Sequence, residues 1–170
     1  MCVGARTVRV ASCIYDGSVT FHHDDGSSKT KEVPGDVEMD NEIGINPIIL
    51  VVEDVHETRD GIEKLLKVDG YRVVLARDEL DGIESAQRQR PDLILVSLAG
   101  LPSEVLGSGR RIRESAGAGD DVPVVIFCFD EIIEGAEVAL GKNVHIAQPD
   151  NFNQLRALLS RLLRRSSTAA

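Results

Sequence analysis

The chain has 170 residues, a formal charge of -9 and a pI near 4.9. That length buries one respectable core, and an acidic surface is repelled by nucleic acid and by anionic membranes, so protein partners are favoured over both. Three widely spaced cysteines, Cys2, Cys13 and Cys128, form no CxxC pair, and no apolar run approaches a signal peptide or a membrane span; disulfide scaffolds, zinc cages and membrane proteins drop out, and a cytoplasmic location is expected.

Residues 8–15 and 18–23 flank Asp16-Gly17, a strong short hairpin signal, because a type I′ turn needs positive φ at both central positions. Such a turn pairs Ile14 with Val19 and Ser12 with Phe21, so residues 1–26 read as an N-terminal β-hairpin extension. His22, His23, Asp24 and Asp25 sit at its end; adjacent strand residues point to opposite faces, so they read as a polar hairpin end and not as a metal cluster. Residues 27–46 mix Ser, Lys, Glu, Pro, Gly and Asp without periodicity and read as a polar linker.

From Pro47 onward, short apolar runs alternate with amphipathic segments, the pattern of a parallel sheet covered by helices on both faces. Residues 48–52 predict a buried first strand. Ile62, Leu65 and Leu66 fall at helical spacing, and Gly70 stands where a helix end wants a left-handed residue. A second strand is predicted over 71–76. Leu80, Ile83 and Ala86 mark a second helix that Pro91 terminates, and 93–98 predict a third strand. Val105, Leu106 and Ile112 suggest the third helix, and 122–129 the fourth strand. Ile133, Ala136 and Leu140 supply a helical stripe closed by Gly141, followed by a fifth strand over 144–147. Phe152, Leu155, Leu158, Leu159, Leu162 and Leu163 make the last helix. Five βα units over residues 47–165 imply an α/β, flavodoxin-like, doubly wound five-stranded parallel sheet of order 2-1-3-4-5, whose functional crevice lies at the strand C-terminal ends. Residues 166–170 read as a disordered tail.

The first strand ends in Glu53-Asp54, adjacent carboxylates of a kind that suits a hard divalent cation, although an acidic solvated turn looks the same. The stretch IILVVEDVHETRDGIEKLLKVDGYRVVLARDELDGIESAQRQRPDLILVSLAG resembles the first half of a two-component response-regulator receiver (CheY-like) domain, which reads ILVVDD, a GY strand and PDLILLD. DVPVVIFCF and GKNVHIAQP resemble that family's fourth strand and its loop, fifth strand and Lys-Pro turn.

The resemblance implies an aspartyl-phosphate switch, and this chain departs from it at each functional position. The phosphoacceptor Asp corresponds to Ser97, a neutral hydroxyl and a poor nucleophile without a base. The phosphate-binding Ser/Thr corresponds to Cys128, the neutralising Lys to Gln148, and the aromatic switch residue to His145. A magnesium site built from Glu53, Asp54 and the backbone carbonyl of Ala99 keeps too few charges for more than weak binding. The chain therefore reads as a pseudo-receiver with no cofactor and no catalysis. It is expected to signal through a protein partner, whether histidine kinase, other regulator or output protein, with no output domain after the last helix. The docking face is expected on the last helix and the edge formed by the fourth and fifth units, and a homodimer through the last helix is one further option. Arg161, Arg164 and Arg165 there complement the helix dipole or rim that face. The alternative is a small enzyme or ligand-binding domain on a flavodoxin-like fold, which would want a glycine-rich loop where Val55-His56-Glu57-Thr58-Arg59 stands. By the same resemblance, the Gln148-Pro149 bond is expected to be cis.

Overall fold

A computed structural model describes residues 46–127 and 132–168, all within the unit Asn41–Ala170. The expected N-terminal hairpin, the linker up to residue 45, and Cys128 lie outside the described residues.

Ten elements follow in order: β1 (Ile48–Glu53), α1 (His56–Val68), β2 (Arg72–Ala76), α2 (Glu79–Gln89), β3 (Leu93–Ser97), α3 (Pro102–Ser115), β4 (Val124–Phe127), β5 (Glu137–Ala139), β6 (Val144–Ala147) and α4 (Phe152–Thr168). The sheet order is β2-β1-β3-β4-β6-β5. All neighbours run parallel except β5, which pairs antiparallel with β6. The five parallel strands thus keep the expected doubly wound order, and a sixth strand at the edge corrects the five-stranded expectation.

The strand runs are apolar at nearly every position because both faces of the sheet are covered. Ile49, Val51, Leu93, Leu95, Val125 and Ala147 face α1 and α4, meeting Ile62, Leu66, Leu159 and Leu162. Leu50, Val52, Ile94, Val96, Val124, Ile126 and Val144 face α2 and α3, meeting Ala86, Val105 and Ile112. Each buried Val, Leu or Ile side chain among them contributes about 1.5–3 kcal/mol relative to exposure. Residues that satisfy helix ends set the helix boundaries. Asp78 accepts the Asp81 N–H at 2.9 Å to cap α2, Pro102 opens α3 where its missing N–H costs nothing, and Gly70 follows α1 at φ 86. Buried Arg113 on α3 donates to the carbonyls of Val122 and Lys142 and pairs with Asp120, holding the entry to β4 against the β5–β6 turn.

The helix expected from Ile133, Ala136 and Leu140 is not formed. Gly135 stands at φ 82, a left-handed residue that interrupts a right-handed helix, and Gly141 is only six positions further on. Between them the backbone gains more from a partner strand than from a single helical turn, whose nucleation is unfavourable. Gly141, Lys142 and Asn143, at φ 84, 48 and 54, make the turn that folds β5 back onto β6. Leu140 donates to the Val144 carbonyl at 2.8 Å, and Gln148 to that of Ala136 at 3.1 Å. This extended ladder also explains a second correction: no described peptide bond is cis, so Gln148-Pro149 is trans. Gln148 is held extended by its own donation and by the Gly135 N–H on its carbonyl at 2.7 Å, and a trans X-Pro bond is favoured by about 0.5–1 kcal/mol where nothing demands otherwise. At the other end, α4 continues to Thr168, beyond residue 165, where the domain was expected to close.

Candidate functional site at the carboxyl ends of β1 and β3

Parallel register sets Glu53, the last residue of β1, directly beside Ser97, the last residue of β3. Adjacent parallel strands lie about 4.8 Å apart, so two terminal side chains on the same face meet. Glu53 is 3% exposed, an unusual position for a carboxyl. Its Oε1 accepts the Val55 N–H at 2.9 Å, and Ser97 also hydrogen-bonds to it. Burial pushes the Glu53 carboxyl above the ordinary carboxylate range; the bonds from Ser97 and Val55 pull against that, and neighbouring Asp54 adds to the rise. Arg59, one turn into α1, donates to the Glu53 carbonyl at 2.9 Å, fixing the β1–α1 corner. Asp54 is exposed, and its Oδ2 lies 3.4 Å from the Ala99 N–H, which ties the β1–α1 and β3–α3 loops together.

Glu53, Asp54, Ser97 and Ala99 are therefore brought together as the sequence reading required. As a divalent-cation site the donor set does not fit. One carboxyl is buried and already accepts the Val55 N–H, and the end of β3 holds a neutral hydroxyl in place of a third carboxylate. Among the described residues, no three His, Cys, Asp or Glu side chains cluster as metal ligands.

His145 lies on β6 and Gln148 follows the carboxyl end of that strand, with β4 between β6 and β3. His145 is buried; its Nδ1 lies 3.2 Å from Glu137 Oε1, and its Nε2 lies 3.2 Å from Asn143 Oδ1. Asn143 in turn donates to the Asp121 carbonyl at 2.9 Å, and Arg161 of α4 pairs with Glu137. This chain of polar groups joins β5, β6 and α4. Nothing in the sequence pointed to Glu137 as its centre, because the segment carrying it read as a helix. A groove of about 360 Å³ lies beside the network, lined by Gly135, Glu137, Ala147, Ala157, Arg161 and Arg164 among others.

No protein-family model matches the chain. It is 28% identical to the response regulator MprA of Mycobacterium leprae over 120 residues, 69% of this chain and 51% of that protein. MprA of Mycobacterium tuberculosis H37Rv is similar to the same extent. The chain spans about half the length of these curated relatives. Among solved structures, the receiver domain of a sensor histidine kinase from Pseudomonas aeruginosa PAO1, crystallised with magnesium in its active-site cleft, is 27% identical, with a TM-score of 0.50; the match covers 69% of this chain and 98% of that one. A CheY-like receiver domain protein from Methanospirillum hungatei matches with a TM-score of 0.57 over 74% of this chain and 99% of its own. At 15% identity the latter speaks for the fold alone. The described residues thus carry a CheY-like receiver fold, similar in sequence to the receivers of two-component response regulators. Among the described residues, no helix is long and apolar enough to cross a membrane.

Proposed function

We propose that residues 47–165 act as a receiver-like module of two-component signal transduction that works by protein–protein contact, without accepting a phosphoryl group and without catalysis. One observation carries this reading: at the end of β3, where the resemblance asks for a nucleophilic carboxylate, stands the neutral hydroxyl of Ser97, in register with buried Glu53. A serine hydroxyl is protonated at neutral pH and is a far poorer phosphoryl acceptor than a carboxylate, and it adds no negative charge for a cation. Gln148 offers an amide dipole where a lysine would neutralise a phosphoryl group, and its backbone is committed to the β5 side of the sheet. The partner is a kinase, another regulator or an output protein, and its docking face is the last helix with the adjoining β5–β6 edge.

The test is intact mass after treatment with acetyl phosphate and magnesium. The wild-type chain is expected to gain no phosphoryl group, and Ser97→Asp, Cys128→Thr and Gln148→Lys together are expected to be needed for a stable, partner-switching adduct. A phosphorylated wild type overturns the reading.

A further inference from the structure

The β5 edge carries an inference that does not depend on the signalling reading. We propose that β5 is a self-pairing edge, through which two copies of this chain join antiparallel about a two-fold axis at Val138, making one continuous sheet.

The ladder decides which backbone groups are on offer. Leu140 bonds to Val144, and Gln148 to Ala136, and the register between them places Val138 against Ile146. In an antiparallel pair hydrogen-bonded positions alternate, so 136, 138 and 140 turn their N–H and C=O groups toward β6. Glu137 and Ala139 turn theirs outward. Among the described residues nothing pairs with that side, and β5 is exposed along its whole length.

Edges are ordinarily guarded by charge, proline or a bulge. The other edge strand, β2, carries exposed Arg72. On β5 the one charge is Glu137, and it is already neutralised within its own chain by Arg161 and by the bond to His145. What remains is apolar: Val138 is 41% exposed, Leu140 39%, and nearby Ile133 83%.

Parity and the left-handed residues that flank β5 together select one register. With the axis at Val138, outward-facing Glu137 pairs with outward-facing Ala139 of the second copy, and the reverse, so all four outward groups of each strand are satisfied. Val138 meets Val138 of the second copy at a non-hydrogen-bonded position, where side chains come closest. Moving the axis to Glu137 pairs Ala139 with Gly135 of the second copy, a left-handed residue whose N–H is already bonded to the Gln148 carbonyl. Moving it to Ala139 pairs Glu137 with Gly141, a left-handed turn residue that offers no extended partner. The contact is isologous, as two-fold dimers require. It is also short, so the dimer should be concentration-dependent and not obligate.

Sedimentation velocity of the full chain over a dilution series tests this. A monomer–dimer equilibrium is expected. Ala139→Pro removes an N–H that β6 does not use, a substitution edge strands tolerate, and is expected to weaken dimerisation by about tenfold or more while the melting temperature holds. Val138→Lys, which sets two ammonium groups across the axis, is expected to do the same. A chain that stays monomeric at every concentration overturns the proposal. So does a dimer indifferent to both substitutions, which would lie on another face, such as the last helix.

Discussion

Replacing Ser97 by Asp puts a third carboxyl beside buried Glu53 and next to Asp54, with no cation supplied. Ser97 and Glu53 end adjacent strands in register, so the new charge would sit about 5 Å from its neighbour; at an effective dielectric of about 20, that repulsion is roughly 3 kcal/mol. The chain can relieve it by binding a proton, at about 1.4 kcal/mol for each unit of pH above the raised native pKa. Since Glu53 already lies above the ordinary range, the expected net loss near neutral pH is about 1–3 kcal/mol. For a domain of about 120 residues that is a fall of roughly 4–12 °C in melting temperature. The sign is fixed by linkage. The native carboxyls would hold protons more tightly than the unfolded ones, so the deficit is absent below the unfolded pKa values and grows as pH rises through the native ones. Magnesium should restore part of the loss, because the mutant site binds it and the unfolded chain does not. Thermal melts of wild type and Ser97→Asp from acid to neutral pH, with and without magnesium, decide the matter. A mutant as stable as wild type at neutral pH without magnesium would show that the carboxyls do not gather at this crevice.

Glu79 accepts two bonds from Arg111 and one from Ser108, which lower its pKa to about 2; being partly exposed, it should contribute only about 1 kcal/mol after screening. That contribution is fully present above the ordinary carboxylate pKa and fades as pH falls toward 2, so Glu79→Gln should cost stability at pH 7 and nothing near pH 2, as denaturant melts at the two pH values would show. A Cβ at Gly109 would stand 2.8 Å from Val124 Cγ1 and 3.1 Å from Ile126 Cδ1, so Gly109→Ala should destabilise by about 1–3 kcal/mol as α3 is pushed off β4, and a gain in melting temperature would refute that packing. Since residues 47–165 supply the whole described core, a chain beginning at Glu42 should melt as cooperatively as the full chain; a fall of more than about 8 °C would make the N-terminal segment an integral layer.

The parallel sheet was legible because buried strands leave a simple mark: 48–52, 93–98 and 144–147 are nearly unbroken apolar runs, and helical spacing of Ile62, Leu66, Leu155, Leu159 and Leu162 separates the covering faces. The juxtaposition of Glu53 with Ser97 was equally legible, since the position of a residue at a strand end follows once the order of strands is known. Residues 132–140 were not. Ile133, Ala136 and Leu140 satisfy a helical period and tolerate a strand, and a segment of that length bracketed by Gly135 and Gly141 has no conformation of its own until β6 offers it a ladder. The trans bond at Pro149 follows from the same ladder, which holds Gln148 extended. His145 shows the limit most plainly. Sequence placed it on the last parallel strand, but its partners Glu137, Asn143 and, through Glu137, Arg161 come from elements whose meeting depends on β5 being a strand. Local pattern determines which segments are buried; only the competition among partners for backbone hydrogen bonds determines what a short, ambiguous segment at the sheet edge becomes.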